Sequence, residues 1–539
     1  MSENVQKTLR DSAALRWLAL ILLAGAMFCS YIFMDILSPI KDLMWDTKGW
    51  DSTAFGTMQG SETFLNVFVF FLIFAGIILD KMGVRFTAIL SGAVMLVGAT
   101  INWYALTDMF AGSNLEVWFN EHLNYIPGFD ELGVSPFYKG MPASAKFSAI
   151  GFMIFGCGVE MAGITVSRGI VKWFKGREMA LAMGSEMALA SLGVAPCKIF
   201  SPMFARLGGE VSVSRSVAFG VVLLMIALIM FIVYAFMDKK LDSQTGEAEE
   251  KDDPFKLCDL GKILTDSGFW LVALLCVRYY SAIFPFLKYA VNMLQCNLVF
   301  HQVDPSSIWA SNTITIIQYV IMLVVAACAF ASNFSKNKVA KYGLMGAAIV
   351  ALVVFCYMGY MRQSAETVFA VFPLLAVGIT PILGNYVDHK GKAATMLVLG
   401  SLLLIACHLT FAFVLPAFKG SEVGGIIVAY ITILVLGASF SLVPASLWPS
   451  VPKLVDEKII GSAYALIFWI QNIGWWLFPL LIGKVLDATN KGVTNQDQLD
   501  YTAPLVMLAG LGVAALILGL VLKVVDKKKG LGLEEPNIK

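Results

Sequence analysis

Long apolar runs alternate with short polar turns along almost the whole chain. Apolar stretches lie near residues 14–37, 62–79, 86–106, 147–171, 178–204 and 215–237, and a charged, polar segment follows at 238–265. A second series lies near 267–292, 306–331, 343–361, 366–387, 393–416, 424–447, 460–486 and 502–524. A helix needs roughly 20 mostly apolar residues to cross the hydrocarbon core of a bilayer. It also satisfies its own backbone N–H and C=O groups, which lipid cannot do. The pattern therefore predicts an all-α integral membrane protein with about 14 transmembrane helices, six before the polar segment and eight after it. It divides into an N-terminal six-helix bundle (1–237), a cytoplasmic linker (238–265) and a C-terminal bundle (266–539).

One string of residues occurs twice between apolar runs. Gly76, Asp80, Gly83 and Arg85 carry the first copy, and Gly384, Asp388, Gly391 and Lys392 the second. A second internal match sets Arg177 to Gly193 against Lys458 to Gly474. Two related halves explain both, with a helical hairpin inserted near 320–366 in the second half so that every later loop keeps its side. Repeated halves point to parts that move against each other, and so to transport. The strings are expected to act as crossed latches, because a helix N-terminus carries about half a positive charge. Asp80 should meet the turn near Lys458 to Ser462, and Asp388 the turn near Lys175 to Ala180. Gly83 and Gly391 would permit the tight turns, and Arg85 and Lys392 would hold the aspartates.

Composition excludes several classes. The chain is 58% apolar and 14% charged, with mean hydropathy +0.76, against about 45–50% and about 25% in soluble domains. A net charge of +1 gives no basis for a nucleic-acid partner. The cysteines are scattered through apolar runs without a CxxC pair, and the histidines lack the HExxH spacing. No cofactor or metal is expected, and no nucleophile–base pair or phosphate loop supports an enzyme. Lysine and arginine concentrate in alternate short loops, which places that side and both termini in the cytoplasm. The expected partners are a small-molecule solute, membrane lipids and protons.

Ionisable residues inside spans narrow the search. Each costs roughly 2.5–3.5 kcal/mol at mid-bilayer, so such residues face a partner or a water-filled path. Glu160 and Arg278 lie near the middle of the fourth and seventh spans, one in each half, and are expected to face a shared central cavity. An ion pair that merely holds the halves together is the alternative. Glu186 and Lys198 lie in the fifth span. Asp35 and Lys288 lie nearer the outer ends, where long side chains can reach the interface. Arg168 is read as a head-group anchor.

These features resemble the major facilitator superfamily, and within it the lysosomal dipeptide transporter branch. The matching residues are Ser30, Tyr31 and Asp35 in the first span and Gly158, Val159 and Glu160 in the fourth, followed by Trp173 to Glu178. Tyr279, Tyr280 and Phe284 to Phe286 continue the match, as do Leu447 to Pro449, Gly461 to Tyr464, and Gln471 with Asn472. The resemblance implies two parallel-repeat six-helix bundles and a secondary carrier that moves a small polar organic solute, a dipeptide, by alternating access. It implies that Asp35, Glu160, Ser191, Tyr280, Trp448 and Asn472 line the solute path. Two departures stand out: Ser191 replaces an arginine of the branch, and Arg278 has no counterpart there. Two other readings stay open. One is a proton-coupled symporter of small organic anions, with Glu160 titrating and Arg278 holding the anion. The other is a solute sensor of the same fold that moves nothing.

Overall fold

The computed structural model describes residues 8–131, 133, 135–174, 179–245, 264–301, 303–304, 306–335, 337–455 and 460–536. Regular structure among them is helical. Among the described residues, thirteen helices are long and apolar enough to cross a membrane. One of these, Phe71–Ala105, joins the end of one crossing to the whole of the next across a kink, where Gly83 has φ 79° and ψ 168°. Only glycine enters that region without strain. The segment before Gly83 completes a crossing that begins at Ser52 and runs through Ser52–Gly60, a 3-10 turn at Ser61–Thr63 and Phe64–Phe68.

Numbered as crossings, the first half is α1 (Ala13–Met34), α2 (52–82), α3 (84–105), α4 (Ala143–Phe174), α5 (179–205) and α6 (Val213–Thr245). The second half is α7 (Ser267–Asn297), α8 (Asn312–Phe334), α9 (Lys338–Met361), α10 (Ala365–Lys390), α11 (Ala393–Ala417), α12 (Glu422–Ser450), α13 (Ile460–Thr489) and α14 (Thr502–Lys529). Hydropathy places the start of α2 ten residues late, because Gln59 to Thr63 interrupts the apolar run. It also ends α6 early, since that helix continues past residue 237. The polar stretch that follows, 246–263, lies outside the described residues.

Packing shows the repeat directly. In the first half α1 packs on α5 and α6, and α3 on α4 and α6; in the second α7 packs on α13 and α14, and α11 on α12 and α14. The pairing α2–α13 across the halves has its counterpart in α10–α5. This leaves α8 and α9 without counterparts in the first half. They form the inserted hairpin, which leans on α10 and reaches the first half where Tyr319 meets Phe200, ring centroids 4.8 Å apart. Large apolar side chains such as Ile229, Phe236, Val350 and Val353 point outward, as a lipid-facing surface requires.

The inner face is the one that holds Thr8 and Pro536. There the chain after α14 folds back under the second half. Thr395 at the start of α11 donates from its N–H to the Glu534 carboxylate at 2.7 Å, and Lys392 N–H donates to the Glu534 carbonyl at 3.1 Å. Leu533 is fully buried, and Lys453 Nζ donates to Gly532 O at 2.8 Å. Gly391, at φ 71°, accepts this tail because a Cβ would overlap the Glu534 carbonyl.

Candidate functional site

The outer ends of the halves are sealed. Where α2 meets α13, Gly56 lies against the Pro479 carbonyl, Gly60 against Trp476, and Gly483 against Ser52; a Cβ on any of them would overlap backbone. Small residues let helix backbones approach this closely. Asp487 of α13 accepts from the N–H groups of Ser52 and Thr53 at 3.2 and 2.6 Å. Tyr289 of α7 donates to Pro479 O at 2.9 Å. Lys41, in the short helix Lys41–Lys48 after α1, is buried and donates to Gln496 Oε1 at 2.5 Å and Asn292 Oδ1 at 3.3 Å.

Below this seal lies a charged layer shared by both halves. Asp35, just past the end of α1, pairs with Lys198 of α5 and, at 3.2 Å, with Lys288 of α7. Lys198 also donates to Ser38 Oγ and to Leu287 O, and Lys288 to Met34 O at 2.8 Å. Neither Asp35 nor Lys288 snorkels: their side chains are 6% and 12% exposed. Deeper in, Glu160 of α4 accepts from Asn472 Nδ2 of α13 at 3.3 Å. Glu62, on the 3-10 turn of α2, lies within electrostatic reach of Lys288, Glu160 and Asp35.

Arg278 is exposed, like Leu274 one turn before it on α7, and makes no ion pair among the described residues. The described hydrogen bond of Glu160 goes to Asn472, so Glu160 and Arg278 are not joined. Tyr280 and Trp448 do meet: Trp448 Nε1 donates to the Tyr280 hydroxyl at 3.2 Å. Tyr280 also stacks on Phe284 at 5.6 Å, and Tyr464 donates to the Trp448 carbonyl at 3.0 Å. These residues form an aromatic wall on α7, α12 and α13. Ser191 lies on the helix Met179–Leu192, and its side chain is outside the described residues.

At the inner loops, Asp80 pairs with Arg168 of α4 at 2.6 Å, which gives Arg168 a protein partner in place of a head group. Arg85 pairs with Asp242 of α6 at 2.7 Å rather than with Asp80. Lys172 and Trp173 Nε1 converge on the buried Asp238, at 2.7 and 3.0 Å. Asp388 acts electrostatically on Lys453. Gly76 and Gly384 have open space where a Cβ would stand. The turns expected to receive Asp80 and Asp388, Lys458 to Ser462 and Lys175 to Ala180, include 458–459 and 175–178, which lie outside the described residues.

Sequence reading left Gln59 outside the crossing and set Glu62 at its edge, because α2 was taken to start at residue 62; Asn66 fell inside that span but was not singled out. The signal that finds them is the Asp51 cap, which accepts Ala54 N–H at 2.6 Å, followed by glycines at 56 and 60.

Comparison with known proteins places this architecture. The family model described as "Major Facilitator Superfamily" matches residues 23–367. Among curated relatives, the lysosomal dipeptide transporter MFSD1 of Homo sapiens is 21% identical over 482 residues, covering 88% of this chain and 80% of that protein. MFSD1 of Bos taurus is 23% identical over 347 residues, covering 63% of this chain and 58% of the relative, less than two thirds of its length. Solved structures of similar fold include a point mutant of the nucleoside transporter NupG, with TM-score 0.59, 12% identity and coverage of 94% of this chain and 99% of that one. A D-xylose–proton symporter matches with TM-score 0.56 and 11% identity, covering 94% of this chain and 97% of that one. With the family match running over most of the chain and the helix packing repeated between two halves, this chain belongs to the Major Facilitator Superfamily.

Proposed function

We propose that the chain is a secondary carrier that moves a small polar organic solute, a dipeptide in class, across the membrane by alternating access. The moving units are 1–237 and 266–539, joined by 238–265 on the cytoplasmic side. The observation that carries this reading is the polar layer at the junction of the halves. There Asp35 is held by Lys198 from its own half and by Lys288 from the other, and Glu160 is held by Asn472. Polar contacts between halves must rearrange whenever the halves rock, so a solute bound there is coupled to the gate. The dipeptide class is supported by the curated relatives, which are named dipeptide transporters. Arg278 supplies a guanidinium for a solute carboxylate when the halves change position. The aromatic wall of Tyr280 and Trp448 gives solute side chains an apolar surface.

The test is uptake into proteoliposomes containing the purified protein. Labelled alanyl-alanine should enter saturably, and unlabelled dipeptides should compete while free amino acids do not. Repeating the uptake with an uncoupler separates coupled from facilitated movement. Uptake of a small carboxylate with no effect of peptide would replace the dipeptide reading with the anion symporter. Ligand binding without any flux would establish a sensor.

A further inference from the structure

The inner ends of α6 and α14 carry the same short string, Met237-Asp238-Lys239-Lys240 in one and Val525-Asp526-Lys527-Lys528 in the other. Beyond it the two helices differ. α6 runs on as helix to Thr245, and Asp242, one turn past Asp238, reaches Arg85 at the start of α3 at 2.7 Å. Lys172, in the last turn of α4, pairs with both aspartates at 2.7 Å. In the first half, then, α3, α4 and α6 are tied at their inner ends by side chains that stand on the helices themselves.

α14 stops where α6 continues. In register with Asp242 stands Gly530, which takes φ 65° and ends the helix. In register with Arg85 stands Ala393, which carries no charge. Residues 530–536 turn back and supply what both positions lack. Leu533 N–H donates to Asp526 Oδ1 at 2.9 Å. The Glu534 carboxylate caps α11 from outside, accepting from Thr395 N–H at 2.7 Å and from its hydroxyl at 2.9 Å, where it meets the positive end of that helix. Lys453, placed before Lys458 as Lys172 is before Arg177, donates to Gly532 O and, at 3.0 Å, to Glu535 O. Leu531 packs beside Gly268 at the start of α7. Ala393 and Lys392 donate their N–H groups to the Leu533 and Glu534 carbonyls, each at 3.1 Å. Lys392 is thereby held at φ 66°, a region that residues other than glycine occupy only under constraint.

We propose that residues 530–536 form a releasable clasp on the inner face of the second half. Docked, they hold the inner ends of α7, α11, α12 and α14 as one body and fix the Gly391–Lys392 turn. Undocked, they free that turn while every crossing stays helical, because these ties lie on a segment outside the helices, and such segments open locally at low cost. In the first half, by contrast, freeing Asp242 from Arg85 means parting α6 from α3 or unwinding it. The Gly391–Lys392 turn belongs to the second copy of the repeated string. On the carrier reading the clasp therefore sets how readily the inner gate shuts; its docking does not depend on that reading.

The test reads the clasp without solute. Hydrogen–deuterium exchange is followed at the amides of Lys392, Ala393 and Thr395, which donate to the segment. In a variant that stops after Lys529 they should exchange about tenfold faster, while the amides of Ser52 and Thr53 at the outer seam keep the wild-type rate. Adding a peptide of residues 530–536 should restore protection, and the same peptide carrying Glu534→Lys should not. Glu534→Lys in the full chain removes no residue and should expose the same amides, which covers the case in which the shortened chain does not insert. Unchanged exchange at these amides overturns the clasp. Spin labels at the inner ends of α5 and α10 then read the gate: either variant should lower the shut fraction several-fold, and the peptide should restore it in the shortened chain. Faster exchange with unchanged distances overturns control of the gate by the clasp. Alanyl-alanine uptake by the wild-type protein is measured alongside; its absence counts against the solute class alone and leaves both readouts in force.

Discussion

The carboxylate of Asp487, at the outer end of α13, accepts hydrogen bonds from both the backbone N–H and the hydroxyl of Thr53, each at 2.6 Å. Thr53 opens α2 in the other half, so a residue of one half caps a helix of its partner half. The first N–H groups of a helix have no internal partner and form its positive end. A carboxylate there makes charge-assisted hydrogen bonds, worth about twice neutral ones. Such a contact cannot survive separation of α2 from α13, which makes Asp487 a latch of the outer gate. Asp487→Asn should weaken it by about 1–2 kcal/mol, or roughly 5–30-fold in the gate equilibrium. Spin-label distances between the outer ends of α2 and α13 would report a larger open fraction; an unchanged distribution would remove Asp487 from the gate.

The glycines of the same seam set how closely it shuts. A methyl group at Gly56 would overlap the Pro479 carbonyl and the Tyr289 hydroxyl, and backbone cannot yield as a flexible side chain does. Gly56→Ala should insert and fold but fail to close on the outside, losing net transport. A cysteine placed in the outer vestibule should become more reactive to an impermeant thiol reagent. Normal transport would show that the seam can close at a wider spacing.

The Asp35–Lys198–Lys288 cluster predicts unequal effects for its two lysines. Removing one partner of a buried ion pair costs about 3–5 kcal/mol, because the other charge is left unpaired. Asp35 keeps one lysine in either single variant, so the loss should be smaller than this. Lys198, fully buried with further bonds to Ser38 and Leu287, should matter more to stability than Lys288. Lys198→Met should lower the unfolding temperature in detergent more than Lys288→Met. Combining Lys288→Met with Asp35→Asn should cost less than the two separate effects added together. Strict additivity would mean that the Asp35–Lys288 contact carries no coupling energy.

Arg278 is exposed and unpaired among the described residues, so changing it should leave folding intact. A guanidinium grips a carboxylate with two parallel hydrogen bonds, which the single ammonium of lysine cannot reproduce. Arg278→Lys should therefore reach the membrane at wild-type levels and lose dipeptide uptake. Wild-type uptake would exclude Arg278 from the solute site.

Much of the architecture could be read from the residues alone, for reasons that are local. A crossing must be long and apolar whatever its neighbours are, so the spans and the extra hairpin were visible in hydropathy. Gly83 and Gly391 were legible as turn residues because positive φ favours glycine, and both adopt it, at 79° and 71°. That Glu160 and Arg278 lie inside spans, and Asp35 at the outer end of one, also followed from order along the chain.

Only the tertiary structure decided what those groups meet. Asp35, Lys198 and Lys288 lie far apart in sequence, and their meeting depends on which faces α1, α5 and α7 turn toward one another. Hydropathy reports how apolar a segment is, not its rotation or its neighbour. The start of α2 shows the limit most clearly: Gln59 to Thr63 is polar enough to end an apolar window, yet these residues lie within a crossing, buried between α4 and α13. Their depth is set by the close approach of Gly56 and Gly60 to a helix of the other half, a contact that no local window contains.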